Sequence, residues 1–392
     1  MPAAGGEPLL RGAETAKRTV VGVVEDPAAV DLHGWAATLV VERDLARDAE
    51  PAPPERLRIA WEELAPGRPV RFRAGGRVAV ALAPMPGYSL WLQRFPKADV
   101  LAVGESGSAF LRDPESATLD GLSRWVRTPA AEREESPGVD ALSALVAGAQ
   151  DPIAEAAVAR LGEIGGLERK LREPAAADLA RAIASPARPE PLRLAAIELA
   201  RVRRLDRLRP SLAALAQEPS SLAGPAWSAI AAIDGGLPYP TAKQLAASPD
   251  AAVRAVGVGF LVGTPDEAEV ARRAARDPSP AVRIAATRAL LKARGAGALE
   301  IALAALLDPE PDVRAEIAPE VGALGPDVVP RLRSLAESLR GEQAGGPLAA
   351  LAYAGRPGRA ALLELSRTHP DEQTRGLALL MLGRDPRGPG AQ

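Results

Sequence analysis

The chain has 392 residues, of which 47% are hydrophobic, 25% are charged and only 3% are aromatic. A net charge of −2 gives no indication that the protein binds nucleic acid electrostatically. The lack of cysteine excludes disulfides and thiolate metal sites. Only His33 and His369 are histidines, so no histidine-based metal site is available, and no apolar run is long enough for a transmembrane helix.

The N-terminal third has the composition of short β-strands. Runs rich in Val, Leu and aromatic residues are separated by Pro and Gly, and Leu57, Ile59 and Trp61 alternate with Arg58, as in a strand with one buried face. The candidate strands are 18–24, 35–45, 56–64, 68–84, 88–95 and 99–111. This pattern predicts a small all-β barrel or sandwich, with an OB-like barrel as the nearest guess.

The domain boundaries follow from changes in composition along the chain. Residues 116–127 have helical spacing of Leu119, Leu122 and Val126, so we expect a helix that closes a β domain spanning 18–127. A charged, Pro-bounded linker is expected next, then an all-α region, and disordered tails at both ends. The remaining predicted boundaries are 1–17 and 386–392 for the tails, 128–137 for the linker and 138–385 for the helical region.

One motif recurs through the helical region. The segment DPSPAVRIAATRALLKARG, residues 277–295, has a later copy that begins at Asp308 and an earlier copy that begins at Ser248. With Arg283 as reference, the equivalent arginines are Arg193, Arg254, Arg314 and Arg375, at steps of one or two units. A period near 30 holds two helices of about 10–12 residues, each roughly 15–18 Å long. Because one such pair cannot bury its own apolar stripe, the pairs must stack, and we expect about seven to eight of them.

The repeated polar residues have predicted roles in that stack. Proline ends one helix and Asp or Ser caps the next, while each regularly placed Arg is expected to reach the acid of the preceding unit. The chain here resembles the HEAT-repeat family, specifically the short units of phycobilisome lyase-type HEAT-like proteins. The residues that carry the resemblance are Asp277, Pro278, Val282 and Arg283, then Asp308, Pro309, Val313 and Arg314, together with Arg193, Arg254 and Arg375.

The resemblance implies an α-solenoid whose second helices line a concave surface for a partner. We therefore expect a non-catalytic scaffold that binds a protein, without a catalytic, cofactor or metal residue and without nucleic acid or membrane insertion as a partner. Localisation stays open: no secretory signal is present as written, which favours the cytoplasm, unless the true start lies upstream and the protein is exported.

Two alternatives from other classes remain. An enzyme would have its active site in the β domain or at its junction with the solenoid, close to Trp35, Trp61 or Trp91; the segment GESGS at 104–108 is a near miss to a nucleophile elbow. A nucleic-acid binder would use a basic surface, for which the local cluster is Arg201, Arg203, Arg204, Arg207 and Arg209. An enzyme is less expected than a non-catalytic scaffold, because no catalytic motif in the sequence is complete.

Overall fold

The computed structural model describes residues 6–30, 32–47, 55–62, 72–84, 100–104 and 108–383. These divide into two compact units, Met1–Gln217 and Glu218–Gln392. The candidate strand at 88–95 lies outside the described residues. In the described ranges, no helix combines the length and the apolar character that a membrane span requires.

The first unit begins with a small closed barrel. Its strands are β1 (Arg18–Ala29), β2 (Gly34–Asp44), β3 (Glu55–Glu62), β4 (Arg77–Pro84), β5 (Val100–Val103) and β6 (Phe110–Arg112). The strands are joined in the order β1-β2-β3-β5-β4, and the pairing of β1 with β4 closes the barrel, while β6 adds to β4. The β3–β5 pair is parallel and the others are antiparallel. The predicted all-β barrel is confirmed.

The barrel interior is filled by aromatic and branched side chains. Trp61 packs edge-on against Phe72 at 4.6 Å between ring centroids, and Phe72 lies 4.7 Å from Phe110. Trp35 is also buried in this core, with Leu39 and other inward-facing residues of β1–β4. The few aromatic residues of the chain therefore supply the bulk that a small β core needs.

Helices cover the barrel and continue the first unit. They are α1 (Gly6–Thr15), α2 (Ser116–Arg127), α3 (Ser136–Gly148), α4 (Asp151–Glu163), α5 (Leu167–Lys170), α6 (Glu173–Ala184), α7 (Glu190–Arg203) and α8 (Arg209–Leu215). Helix α2 has the predicted bounds. Helices α3 and α6 pack together in one layer, and α4 packs against α7 in a second layer.

Helix α1 corrects the expectation of a disordered tail over 1–17. Leu9, Leu10 and Ala13 are buried, because their helical spacing forms an apolar stripe that packs on α4 and the barrel. Ion pairs fix the same contact, with Arg11 2.7 Å from Glu163. The stripe has only three residues among Gly, Pro and charged neighbours, which is why the sequence pattern did not reveal it.

The predicted linker at 128–137 is a packed connection. A 3₁₀ turn at Ala130–Glu132 leads directly into α3. The guanidinium of Arg133 donates to the carbonyls of Thr128 and Glu14 at 3.2 and 2.7 Å and lies 5.6 Å from the ring centre of Trp125. One arginine thus ties the turn to both α1 and α2.

The second unit is a two-layer stack of helix pairs. Its helices are α9 (Ala223–Asp234), α10 (Tyr239–Ala246), α11 (Ala251–Gly259), α12 (Glu267–Arg276), α13 (Pro280–Arg294), α14 (Leu299–Ala305), α15 (Pro311–Gly322), α16 (Val329–Ser338), α17 (Gly345–Tyr353), α18 (Gly355–Thr368) and α19 (Glu372–Gly383). Helices α9, α11, α13, α15, α17 and α19 pack in succession and form the layer of second helices, and the remaining five are the first helices. The predicted repeating helical stack is confirmed.

The repeat sequence explains why each second helix forms where it does. Pro280 and Pro311 occupy the first helical turn, where a missing N–H costs nothing. At α11 the side chain of Asp250 caps the helix by accepting from the Val253 N–H at 2.9 Å. The apolar residues that follow at three- and four-residue spacing, such as Val282 and Ala286, are fully buried between the layers.

Candidate functional site

Four of the repeated arginines make the same local contact. Nη1 of each donates to the backbone carbonyls six and five residues earlier, on the turn that precedes its helix. The distances are 2.8 and 3.0 Å for Arg254, 2.8 and 3.4 Å for Arg283, 2.6 and 3.0 Å for Arg314, and 2.8 and 3.2 Å for Arg375. The arginine therefore satisfies carbonyl groups that a turn before a helix leaves without partners.

The other edge of the guanidinium joins one unit to the next. Nε and Nη2 of Arg283 donate to the two carboxylate oxygens of Asp308 at 2.8 and 2.7 Å, and Arg254 binds Asp277 in the same way at 3.1 Å for both bonds. The predicted direction was wrong: Arg254 and Arg283 each reach the acid of the following unit. Neighbouring second helices lie side by side, so the turn before the next helix stands beside the arginine.

Burial makes these pairs strong electrostatic contacts. The Asp277 side chain is fully buried, and it also accepts from Arg273 at 2.9 Å and from the Ser279 N–H at 3.0 Å. Burial alone opposes ionisation, yet the hydrogen bonds from Arg254, the Ser279 N–H and Arg273 hold the pKa of Asp277 below its ordinary value. At Asp308 burial is likewise outweighed, chiefly by the Arg283 hydrogen bonds, and its pKa is lowered too.

The acid is absent wherever the preceding unit lacks its arginine. Gly345 stands at the repeat position that Arg314 occupies in the unit before it, and the next unit has His369 where the others have Asp277 and Asp308. The ring of His369 is buried, and its Nδ1 accepts from the Asp371 N–H at 3.1 Å. A carboxylate at this buried position would have no guanidinium beside it, so its loss fits the loss of the arginine.

Arg193 does not belong with the other four. Its Nε donates to the Ile183 carbonyl at 2.8 Å, ten residues earlier. In this unit Arg188 makes the longer-range contacts instead, to the carbonyls of Val146 and Ala149 at 2.7 and 2.8 Å. The spacing of two repeat lengths before Arg254 placed Arg193 on the same series, but the segment ARPEPLR has Ala187 and Arg188 where the other units have Ser, Asp or His followed by Pro.

The signature residues are thus engaged with each other and with the backbone. Val282 and Val313 are fully buried in the core between the helix layers. Pro278 and Pro309 supply turn carbonyls to Arg283 and Arg314. These residues hold the stack together, and they leave little surface with which a partner or substrate could react.

The positions that an enzyme would need in the barrel are occupied or lie beyond the described residues. Trp35 and Trp61 belong to the filled barrel core, while Trp91 and residues 105–107 of the GESGS segment lie outside the described part. Across the residues that the structure covers, no group of three His, Asp or Glu side chains could hold a metal ion.

The basic cluster in the first unit is divided among several partners. Arg201 pairs with Glu198 at 2.6 Å, Arg207 pairs with Glu173 at 3.2 Å, and Arg203 donates to the Ile164 carbonyl. Arg204 adopts a left-handed backbone conformation with φ of 51° at the end of α7. The charges therefore serve local contacts and do not form one aligned row.

The second helices of the second unit present a mixed, partly apolar surface to solvent. We define the second-helix face by Val256 and Phe260 at α11, Arg288 on α13, and Glu316 and Glu320 on α15. Phe260 is 39% exposed, and Val256 is half-buried. Arg288 bridges to α15 through Glu316 at 2.7 Å and Glu320 at 3.1 Å, which neutralises its charge in the middle of this face.

The first helices present a different surface. Their exposed side chains include the large apolar Leu363, which is 42% exposed, among many charged ones: Arg272, Arg276, Glu300, Arg331, Glu337, Arg356, Arg359, Glu364 and Arg367. Several pair across neighbouring helices, as Arg331 does with Glu300 at 2.5 Å and Arg333 with Glu364 at 2.7 Å. The exposed ring of Tyr239 is held there by its hydrogen bond to Asp266. Such a surface is typical of a solvated outer layer.

Comparisons with known proteins agree with this architecture. The family model for HEAT repeats matches residues 239–321, which span α10 to α15. A search of curated proteins finds no match. Among solved structures, human deoxyhypusine hydroxylase in complex with glycerol is similar over 63% of this chain and 95% of that chain, with 19% identity. Its TM-score of 0.32 is too low to carry an argument about this chain.

The family match falls on the units with the most regular Arg–Asp contacts, those of Arg254, Asp277, Arg283 and Asp308. The helix pairs that follow keep the same two-layer packing. HEAT repeats form stacks that commonly serve protein interaction. The N-terminal part has no family match, whereas residues 239–321 match the HEAT-repeat model, in line with the sequence resemblance.

Proposed function

We propose that this chain is a non-catalytic interaction protein, and that the second-helix face of its second unit binds another protein. The observation that carries the proposal is the contrast between the two helix layers. The first helices expose Leu363 and Tyr239 among many charged side chains. The second helices expose Phe260 and small residues such as Ala281, beside the ion-paired Arg288. The sequence resemblance implies that this face is the concave one.

The composition of the face suits a protein partner. Aromatic residues and arginine are enriched in protein interfaces, while unpaired charges are depleted at their centres. Arg288 meets the second condition, because Glu316 and Glu320 already balance it. Small side chains such as Ala252 and Ala281 are exposed on the same helices, so a partner can approach the backbone closely.

Site-specific photo-cross-linking in native lysate tests the proposal. A photoreactive benzoylphenylalanine replaces Ala281 on the second-helix face in one full-length variant and Ser334 on α16 in the matched control. Both residues are small, exposed and helical. We expect one protein to be cross-linked from position 281, identified by mass spectrometry, and not from position 334.

Two outcomes contradict the proposal. The same proteins captured with equal yield from both positions would mean that the two layers do not differ in binding. Capture from position 334 alone would assign the partner to the charged first-helix layer.

A further inference from the structure

A cleft of about 390 Å³ lies between two neighbouring helix pairs, where α12, the end of α13 and α14 meet. Its apolar lining consists of Ala268 and Ala271 of α12, Leu290 of α13, Ala298 in the turn that follows, and Ile301 of α14. Leu290 is buried and Ala268 is exposed, so the cleft has an apolar floor and opens to solvent. Its volume falls within the range of roughly 300–1,000 Å³ that is typical of small-molecule sites.

The polar part of the lining contains one ion pair. Nε and Nη2 of Arg294 donate to the two carboxylate oxygens of Glu267 at 3.0 and 2.6 Å, and the Gly263 N–H donates to the same carboxylate at 2.7 Å. These hydrogen bonds hold the pKa of Glu267 below its ordinary value, so the carboxylate is charged at neutral pH. The Arg294 side chain is 52% exposed and the Glu267 side chain 27%, so a ligand can reach both charges. Nη1 of Arg294 takes no part in the pair.

The cleft exists because small residues interrupt the repeat pattern. One repeat spans 31 residues here, and the same step leads from three small lining residues to three larger apolar ones. The equivalent residues are Ala268 and Leu299, Gly297 and Val328, and Ala298 and Val329. Val328 and Val329 are buried, so the next unit has large side chains where this cleft has space. The same step takes Arg294 to Gly325, so the next unit lacks the ion pair as well.

The two charges at the cleft decide which ligand fits. A ligand whose only charge is a carboxylate would be attracted by Arg294 and repelled by Glu267, and a ligand whose only charge is an ammonium would meet the opposite conflict. A molecule that carries both groups on one carbon atom matches both side chains at once. If that carbon also bears an apolar group, the group can cover the apolar floor of the cleft.

We propose that this cleft binds a free α-amino acid with a large apolar side chain. The ligand's carboxylate accepts from Nη1 of Arg294, its ammonium donates to Glu267, and its side chain packs on Leu290 and Ile301. The cleft shares no residue with the second-helix face. The inference therefore does not depend on the proposed function.

A series of three ligands tests whether both charges are needed. The full chain is titrated with L-phenylalanine, with hydrocinnamate, which lacks the ammonium, and with phenethylamine, which lacks the carboxylate, and binding is followed by ligand-observed NMR. We expect saturable binding of L-phenylalanine with a dissociation constant of about 1 mM or lower. The other two ligands should bind at least about tenfold more weakly, because each of them matches only one charge of the Glu267–Arg294 pair.

Filling the cleft tests where the ligand binds. Ala268→Leu and Gly297→Val together introduce the residues that the next unit has at these positions, Leu299 and Val328. The double variant should therefore fold, which its unfolding temperature checks, and it should bind L-phenylalanine at least about tenfold more weakly. Ala275→Leu, exposed on α12 outside the cleft, is the matched control and should bind as the unchanged chain does.

Arg294→Gln removes one charge and leaves the apolar lining in place. It should lower the affinity for L-phenylalanine to about that of the unchanged chain for phenethylamine, whereas Arg276→Gln, also exposed, should leave it unchanged. Three results would each overturn the proposal: no saturable binding of L-phenylalanine, equal affinities for the three ligands, or undiminished binding to the folded double variant.

Discussion

Two regions of the second unit differ in both sequence and exposure: the second-helix face and the joints, by which we mean the arginine–aspartate pairs between neighbouring units. At the joints the same residue types return, and Arg254–Asp277 and Arg283–Asp308 are buried between neighbouring units. On the face the residues change from helix to helix, from Phe260 to Arg288 and onward, and they are open to solvent. The repeated residues therefore build the stack, and the residues that do not repeat are the ones available to distinguish a partner.

This division has a physical basis in repeat proteins. Each unit contacts only its neighbours, so every joint poses the same packing problem and can use the same solution. A partner meets the face as a whole, and nothing requires each unit to offer the same side chain. The step from Gly345 to His369 lacks both the arginine and the acid, and the step after Arg314 has Leu339 at the position of the acid, so the ion pair is not present at every contact between units.

The largest expected effect is on stability, from breaking a joint. Asp308→Asn removes the carboxylate that faces Arg283 and leaves a guanidinium that is only 9% exposed without its counter-ion. Loss of one partner of a buried ion pair should cost about 3 kcal/mol in the free energy of unfolding. Urea unfolding followed by circular dichroism measures it.

The matched control for that variant is Asp312→Asn. Asp312 lies four residues further on, in the exposed first turn of α15, so its replacement should change the free energy of unfolding by under about 0.5 kcal/mol. Equal costs for Asp308→Asn and Asp312→Asn would show that the joint contributes no more than an ordinary surface charge.

Acid should weaken the same joints. The pKa values of Asp277 and Asp308 lie below their ordinary values in the folded chain, because the arginine hydrogen bonds outweigh burial. The unfolded chain therefore binds these protons at a higher pH than the folded chain, and the stabilisation is present above about pH 4 and lost as the pH falls below it.

The stability deficit of Asp308→Asn relative to the unchanged chain should consequently shrink as the pH falls below about 4. Denaturant unfolding of both proteins over a pH series measures this difference. A deficit that stays constant down to the acid end would mean that Asp308 is not ionised in the folded chain.

The sequence contained enough information for the architecture and for the residues at the joints. The recurrence of an arginine and an aspartate, as in Arg283 and Asp308, identified the residue types of the ion pairs, but the prediction paired each arginine with the acid of the preceding unit. The direction of the contact was not predictable from spacing, since an arginine between two acids is compatible with either. Only the side-by-side packing of second helices decides it.

Other features depended on contacts distant in sequence. Helix α1 is stabilised by α4 and the barrel, and Glu14 lies 3.0 Å from Arg160. An apolar stripe as short as that of Leu9 and Leu10 is not enough to predict a packed helix from the sequence. The closure of the barrel through the pairing of β1 with β4 is likewise a long-range property. The second-helix face had no motif to find, because its residues do not repeat.

Two further variants combine a small expected change in stability with an informative change in binding. Arg288→Glu on the second-helix face and Arg331→Glu on the first-helix layer each reverse an exposed arginine that pairs with a glutamate of a neighbouring unit. Because both ion pairs are exposed, each variant should lower the free energy of unfolding by under about 1 kcal/mol.

Affinity of these two variants for the protein cross-linked from position 281 is the most direct test of the second-helix face. We expect Arg288→Glu to weaken binding at least about tenfold, since the reversed charge would lie beside Glu316 and Glu320 at the centre of the interface. Arg331→Glu should leave the affinity unchanged. Equal affinities for the two variants, or a loss confined to Arg331→Glu, would contradict the assignment of the partner to this face.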